Sequence, residues 1–231
     1  LLADMESIDR QTERAGKMAR SNDKEAKAKH TFMLKVQAHV SEGNFARSME
    51  VQDHEKKWMK ELHLITAKPT LYIANVAEDG FENNPFLDAL NAYAEKESAN
   101  VVPVCASIES EIAELDTEEA AEFLQELGLE EPGLDRVIHS GYRLLHLQTY
   151  FTAGVQEVRA WTISEGDTAP RAAGVIHTDF EKGFIRAEVM SFDDFIENQG
   201  EQGCKDAGKW RLEGKEYVMH EGDVVHFRFN V

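Results

Sequence analysis

Cysteine, long apolar runs and positive charge are all scarce in this chain, and each shortage removes a class of protein. Two cysteines, Cys105 and Cys204, cannot form a disulfide framework, a composition that fits a reducing cytoplasm. No apolar stretch approaches the roughly 20 residues that span a bilayer, and no basic segment followed by an apolar one opens the sequence as a secretory signal would. Lys and Arg total 25 against 43 Asp and Glu, a net charge of −18 over 231 residues. That balance disfavours DNA, non-specific RNA contact and anionic membranes, all of which attract basic surfaces. What remains is an ordinary globular composition, 42% hydrophobic and 29% charged, with enough apolar mass for a core. The sequence opens on Leu1 within a helical pattern and reads as a piece of a longer protein.

The charge is unevenly spread, and its steps suggest three structural units. Residues 1–66 carry 12 basic and 11 acidic residues, residues 67–146 carry 4 and 17, and residues 147–231 carry 9 and 15. In the first segment Leu2, Met5, Ile8, Thr12 and Ala15 recur at helical spacing. Ser21-Asn22-Asp23 supplies N-cap chemistry for a second helix with Phe32, Met33, Val36 and Val40 on one face, stopped at Gly43. The pair predicts a helical hairpin arm, and a third helix is expected over 53–62 with Trp58, Met59 and Leu62 on one side.

The middle segment alternates strand and helix. Thr70–Ala74 is a short β-forming run, 85–97 predicts a helix with Phe86, Leu87, Leu90 and Tyr93 facing inward, and Val101–Cys105 is a second buried strand. Strand, helix and strand at this spacing make a βαβ unit of a parallel α/β sheet. Ligands of such sheets bind beyond the carboxyl ends of the strands. Two polar clusters fall there, Asn75–Glu78 and Cys105–Ser107. Asn75 followed by Glu78 resembles the base-reading Asn-Lys-x-Asp loop of GTPases, with Val76 in place of Lys and the longer Glu in place of Asp. A carboxylate placed for the N1–H and 2-amino donors of guanine no longer fits adenine, whose N1 is an acceptor. The substitution weakens the case for guanine and leaves adenine open.

In the last segment, strands are expected at 147–152, 155–163, 184–189 and 224–229, with a helix starting at Thr168-Ala169-Pro170 and Gly222-Asp223 turning the chain into its final strand. Strand pairs around a helix in some 85 residues fit an α+β module of the ubiquitin-like β-grasp type. The nine histidines form no His-Glu-x-x-His pattern; His54-Glu55 has Trp58 where the second His belongs, and only His220 with His226 could meet across strands. No metal ligand set is expected. Cys105 admits a redox role, although a buried strand-end cysteine is ordinarily a small hydrophobe. The acidic run from Glu109 to Glu131 reads as a solvated amphipathic helix pair.

Asn75-Val76-Ala77-Glu78-Asp79-Gly80, Asn83-Asn84-Pro85, Pro103-Val104-Cys105-Ala106, Thr149 to Gly154, Gly174 to Ala187 and Phe227-Arg228-Phe229-Asn230-Val231 together resemble the YchF family of Obg-like ATPases over essentially the whole chain. The resemblance implies a helical arm, the last part of a P-loop nucleotide-binding (G) domain and a TGS domain. It implies binding and hydrolysis of ATP in preference to GTP with Mg2+, a cytoplasmic location, and a partner in the ribosome (its large subunit) or RNA. By that likeness Asn75, Val76 and Glu78 line the adenine site, and Cys105, Ala106 and Ser107 steady the base through backbone amides. Arg159, Arg171, Lys182 and Arg186 are candidates for RNA contact. One departure is large: no glycine opens G-x-x-x-x-G-K-[ST]. Gly16-Lys17 lies outside that context, and at 208–209 and 214–215 the combination of earlier glycine and following Ser or Thr is missing. Without that loop nothing cradles the phosphates or places the metal, so these residues alone are expected not to hydrolyse ATP. The alternative is a ribosome- or RNA-binding module regulated by nucleotide, without catalysis of its own.

Overall fold

The computed structural model describes residues 1–20, 23–97 and 99–230. Ser21 and Asn22 of the expected cap, and Val231 of the terminal motif, lie outside them. The chain divides into two compact units, Leu1–Val137 and Ile138–Val231.

The first unit opens with α1 (Leu2–Met18) and α2 (Lys24–Ser41), which bury Ile8, Ala15, Phe32, Met33, Val36 and Val40 in one core. Asp23 caps α2 by accepting from Glu25 N–H, and Gly43, at φ 89°, follows its end. A 3-10 turn at Ala46–Ser48, α3 (Lys56–Glu61) and a second 3-10 turn at Ile65–Ala67 complete the arm, adding Trp58, Leu62 and Leu64 to the core. The buried Asp4 carboxylate accepts from the backbone N–H groups of Ile65 and Thr66 at 2.8 Å each, tying the start of α1 to the segment that leaves the arm.

That segment feeds β1 (Leu71–Asn75), followed by α4 (Pro85–Lys96) and β2 (Asn100–Val104), which pairs parallel to β1 in register from Leu71↔Asn100 to Asn75↔Val104. α4 starts where its sequence dictates: the Asn84 side chain accepts from the N–H groups of Phe86 and Leu87, and Pro85 occupies the first turn. The inward face expected of α4 is only partly realised. Leu87 is buried, whereas Phe86 is 86% and Tyr93 47% exposed, because a two-stranded sheet is too narrow to cover the whole apolar stripe. α5 (Ala106–Ile112) and α6 (Thr117–Glu126) are the acidic helix pair, the latter with an Asp116–Glu119 capping box.

No helix is expected from the sequence after this pair, yet α7 (Gly133–Leu144) begins there. Its first amides are capped in trans: Glu109 of α5 accepts from Gly133 N–H at 2.7 Å and Leu134 N–H at 3.0 Å. Glu109→Ala removes both acceptors and is expected to destabilise the first unit by about 1–2 kcal/mol, with Glu109→Gln, which keeps one acceptor, in between. Urea denaturation of the three proteins checks the ordering.

The second unit carries β3 (Leu147–Ala153), β4 (Val158–Ser164), α8 (Ala169–Ile176), α9 (Thr178–Lys182), β5 (Phe184–Ser191), α10 (Phe192–Glu197), α11 (Glu201–Asp206), β6 (Arg211–Glu213) and β7 (Asp223–Phe229). The five strands form one sheet in the order β4-β3-β7-β5-β6, in which only β3 and β7 run parallel. β4 starts at Val158 rather than 155, since Gly154 closes a turn on Glu157 and Val155 is fully exposed. Ala169, Ala172 and Ala173 of α8 lie against Tyr150, Ile163, Ala187, Val189, Val225 and Phe227 on one sheet face. The Tyr150 hydroxyl donates to Ala172 O at 2.9 Å. Met190, Val224 and Cys204 pack on the other face with Phe151, Phe195 and Trp210.

Candidate nucleotide-contacting site

The parallel register aligns the carboxyl ends of β1 and β2, and the two polar clusters meet there. Val76 N–H continues the ladder by donating to Val104 O at 2.8 Å. The Asn75 side-chain oxygen accepts from Ala106 N–H at 3.3 Å, joining the end of β1 to the first residue of α5. Ser107 Oγ donates to Glu78 Oε1 at 3.1 Å and lies 3.1 Å from Cys105 Sγ. Since the serine proton goes to the carboxylate, the thiol is the donor of the second contact, giving the directed series Cys105, Ser107, Glu78. All six residues singled out at this site therefore fall in one place. Cys105 is 2% exposed, at the foot of the series.

The loop carrying Glu78 is tight. Gly80 N–H donates to Ala77 O, and a Cβ on Gly80 would sit 3.1 Å from the backbone of Ala77. Asn84 Nδ2 donates to Gly80 O at 2.9 Å, so the residue that caps α4 also closes the loop. Behind β1, Glu97 accepts from Arg47 and from the Tyr72 hydroxyl, which links the strand to the base of the arm. The Tyr93 hydroxyl, with Arg47 and Tyr72, holds the Glu97 carboxyl below its usual range against the opposing effect of burial, and the same hydrogen bond pushes Tyr93 up to about 12. No sequence signal marked this anchor, because its members come from three places in the chain, the turn Ala46–Ser48, β1 and the end of α4.

The other candidates do not converge. Arg159 lies over the Trp161 ring at 4.2 Å and 3.9 Å from Glu157; Arg171 is 3.3 Å from Asp167, and Lys182 is 4.0 Å from Asp179. Arg186 is two residues before Glu188 and four before Met190, on the sheet face away from Ala187 and α8, whereas Arg159 shares its face with Trp161, which packs on the α8 side. His220 and His226 do not meet across strands: His226 pairs with Glu188 of β5, and His220 sits in the turn with Tyr217 and Asp223. Among the described residues no group of three or more His, Cys, Asp or Glu is arranged to hold a metal ion. No helix among them is long and apolar enough to cross a membrane.

One glycine pattern comes close to a phosphate loop. Gly203-Cys204-Lys205-Asp206-Ala207-Gly208-Lys209 does have the spacing of a phosphate loop up to its lysine, with the earlier glycine present. Trp210 stands at the hydroxyl position, and the segment is a helix running into a turn at Gly208, φ 70°. A phosphate loop is the reverse, a turn running into a helix whose free amides face the anion.

Comparison with known proteins agrees with this architecture. Residues 147–230 match the family described as YchF-GTPase_C, protein of unknown function (DUF933). The chain is 60% identical over 230 residues to the ribosome-binding ATPase YchF of Pasteurella multocida, covering 100% of this chain and 63% of that protein. To the protein of the same name from Bacillus subtilis it is 50% identical over 234 residues, covering 100% and 64%. Its structure superposes on that of the Schizosaccharomyces pombe YchF GTPase with a TM-score of 0.86 and 33% identity, over 98% of this chain and 62% of that one. The chain thus spans somewhat under two thirds of the length of these relatives, and over that span it is similar to the YchF family.

Proposed function

We propose that Asn75, Val76 and Glu78, with Cys105, Ala106 and Ser107, are the base-contacting part of a nucleotide site in a cytoplasmic, ribosome-associated hydrolase that prefers ATP to GTP. The observation that carries this reading is the pair of cross-links between the two strand-end loops, Asn75 to Ala106 and Glu78 to Ser107. They hold a polar edge in the place where parallel sheets receive ligands. The Val76 N–H is engaged by Val104, so its carbonyl is the main-chain group of that residue left to meet a base. A carbonyl acceptor suits the 6-amino donor of adenine and opposes the 6-oxo group of guanine. This supports the choice of ATP on grounds independent of the relatives' names.

The described residues offer no phosphate loop and no magnesium ligand set, so Mg2+ and the γ-phosphate do not fit onto them, and no hydrolytic step is assigned to them. Thermal melts test the reading on two proteins: these 231 residues, and a protein of the full length of the relatives that contains them. ATP is expected to raise the melting temperature of the longer protein, GTP much less, and Asn75→Ala to reduce the difference. Phosphate release by the 231-residue chain is expected at background, and turnover well above it would contradict the assignment.

A second role falls to the last 85 residues as a TGS domain. Their strand order, with α8 across one face, supports a β-grasp assignment. Contact with RNA of the large ribosomal subunit through Arg159, Arg171, Lys182 and Arg186 would have to use separate small patches, since these side chains do not share one face. Salt-sensitive cosedimentation with ribosomes, lost on deleting 147–231, is the expected signature.

A further inference from the structure

In a chain with 43 carboxylates, a basic surface with few ion-pair partners stands out, and one lies at the foot of the arm. α3, the turn Ile65–Ala67 and the stretch entering β1 enclose a cavity of about 570 Å³. Its lining is aliphatic: Val51, Met59, Leu64, Ala67 and Pro69. Lys56, Lys60, His63 and Lys68 complete it, and all four are exposed. Elsewhere on the arm four lysines are neutralised, Lys17 by Glu13, Lys29 by Glu61, Lys35 by Glu55 and Lys57 by Glu25. Within the rim only Lys56 has such a partner, Asp53 at 2.8 Å; Lys60 and Lys68 make no ion pair among the described residues.

We propose that this cavity is a docking site for an acidic protein segment, which inserts an apolar side chain against Met59 and Leu64 and lays its carboxylates on Lys60 and Lys68. Charge complementarity selects the partner. The rest of the chain repels an acidic segment, so the field steers it to this rim, while the aliphatic floor supplies the apolar burial that lysines alone cannot. RNA is the poorer occupant, because His63 is the single aromatic ring in the lining that could stack a base and no Phe, Tyr, Trp or Arg joins it. A segment seated there would press on the residues that lead directly into β1 and so to Asn75.

The test uses fluorescence anisotropy with a labelled peptide of about twelve residues, Asp and Glu flanking one Leu-Phe pair. Saturable binding is expected, weakening as salt rises from roughly 50 to 300 mM. Replacing Leu-Phe by Ser-Ser should weaken it by about tenfold. The double variant Lys60→Glu, Lys68→Glu should weaken it by at least about tenfold. Arg20→Glu with Lys24→Glu makes the same change in net charge at the other end of the arm and should leave binding intact. Circular dichroism confirms that both variants are folded. The proposal is overturned if the peptide does not bind, if the two variants lose binding equally, if the Ser-Ser peptide binds as well, or if an oligouridylate of similar length competes more strongly. It is also overturned if a protein of the full length of the relatives does not bind the peptide, since the cavity is then filled by the family's own remaining residues.

Discussion

Replacing Asp4 by alanine is expected to destabilise the first unit by about 3 kcal/mol, because it strips the acceptor from two amides that have little access to water. In a unit of this size that corresponds to a fall in melting temperature of roughly 10 °C. The carboxylate is 3% exposed and receives Ile65 and Thr66 N–H, while Thr66 Oγ1 in turn accepts from Ala46 N–H at 3.1 Å. Three points far apart in sequence are thus closed by one acid. Asp4→Asn retains one oxygen acceptor and is expected to lose about half as much.

The pH dependence has a definite sign. Burial acts to raise the Asp4 pKa, but hydrogen bonds from the Thr66 side chain and from the Thr66 and Ile65 backbone outweigh it, and the pKa lies below its ordinary 3.8. A carboxylate whose pKa is depressed by folding contributes fully above its unfolded value and loses that contribution as pH falls through the folded one. The stability gap between the native protein and Asp4→Ala should therefore be constant near neutrality and narrow only below about pH 4. A gap that stays constant down to pH 2 would contradict the assignment.

Gly183→Ala is expected to be strongly damaging to the second unit. An added Cβ would stand 2.0 Å from Asn230 O and 3.1 Å from Asp179 O, both backbone atoms that cannot rotate away. Asn230 N–H donates to Gly183 O at 2.8 Å, so the clash forces apart the residues that join the start of β5 to the end of β7. The Phe180 and Phe229 rings, stacked with centroids 3.7 Å apart, would separate with them. A loss of about 2–4 kcal/mol follows, with a weakened near-ultraviolet aromatic signal. Gly141→Ala is the contrast: it lies inside α7, its Cβ would meet nothing within 4 Å, and it should stabilise by about 0.5–1 kcal/mol. If both substitutions behave alike, steric contact is not the cause.

What could be read from the sequence was what local chemistry decides. The cap at Asp23, the Asn84-Pro85 start of α4, the strands around it and Thr168-Ala169-Pro170 at α8 all carry their signals within a few residues. The strand-end polar clusters followed from the βαβ spacing alone. Elements fixed from a distance left no such mark. β6 is three residues long and exists because β5 pairs with it, and α7 has its cap on another helix. α9, α10 and α11 are five or six residues each, too short for a periodicity to show. Phe86 and Tyr93 were misplaced because periodicity reports which side of a helix is apolar, and not how much sheet lies beneath it. The contacts between the two strand-end loops were equally illegible, since 29 and 31 residues separate their partners.

The position of β7 also bears on how the second unit is made. Its first strand, β3, and its last, β7, lie side by side in the middle of the sheet, and β5 reaches the β3–β4 hairpin only through β7. A ribosome synthesising the chain emits β3 and β4 first, then β5 and β6, as two hairpin-like fragments with open edges. They cannot become one sheet until residue 229 has cleared the exit tunnel. Folding of this unit thus waits on its last strand and is slow for its size, because the closing contacts span some 70 residues. During that interval the edges of β3 and β5 are exposed to any other strand nearby, an opening for mispairing that closes only when β7 docks between them.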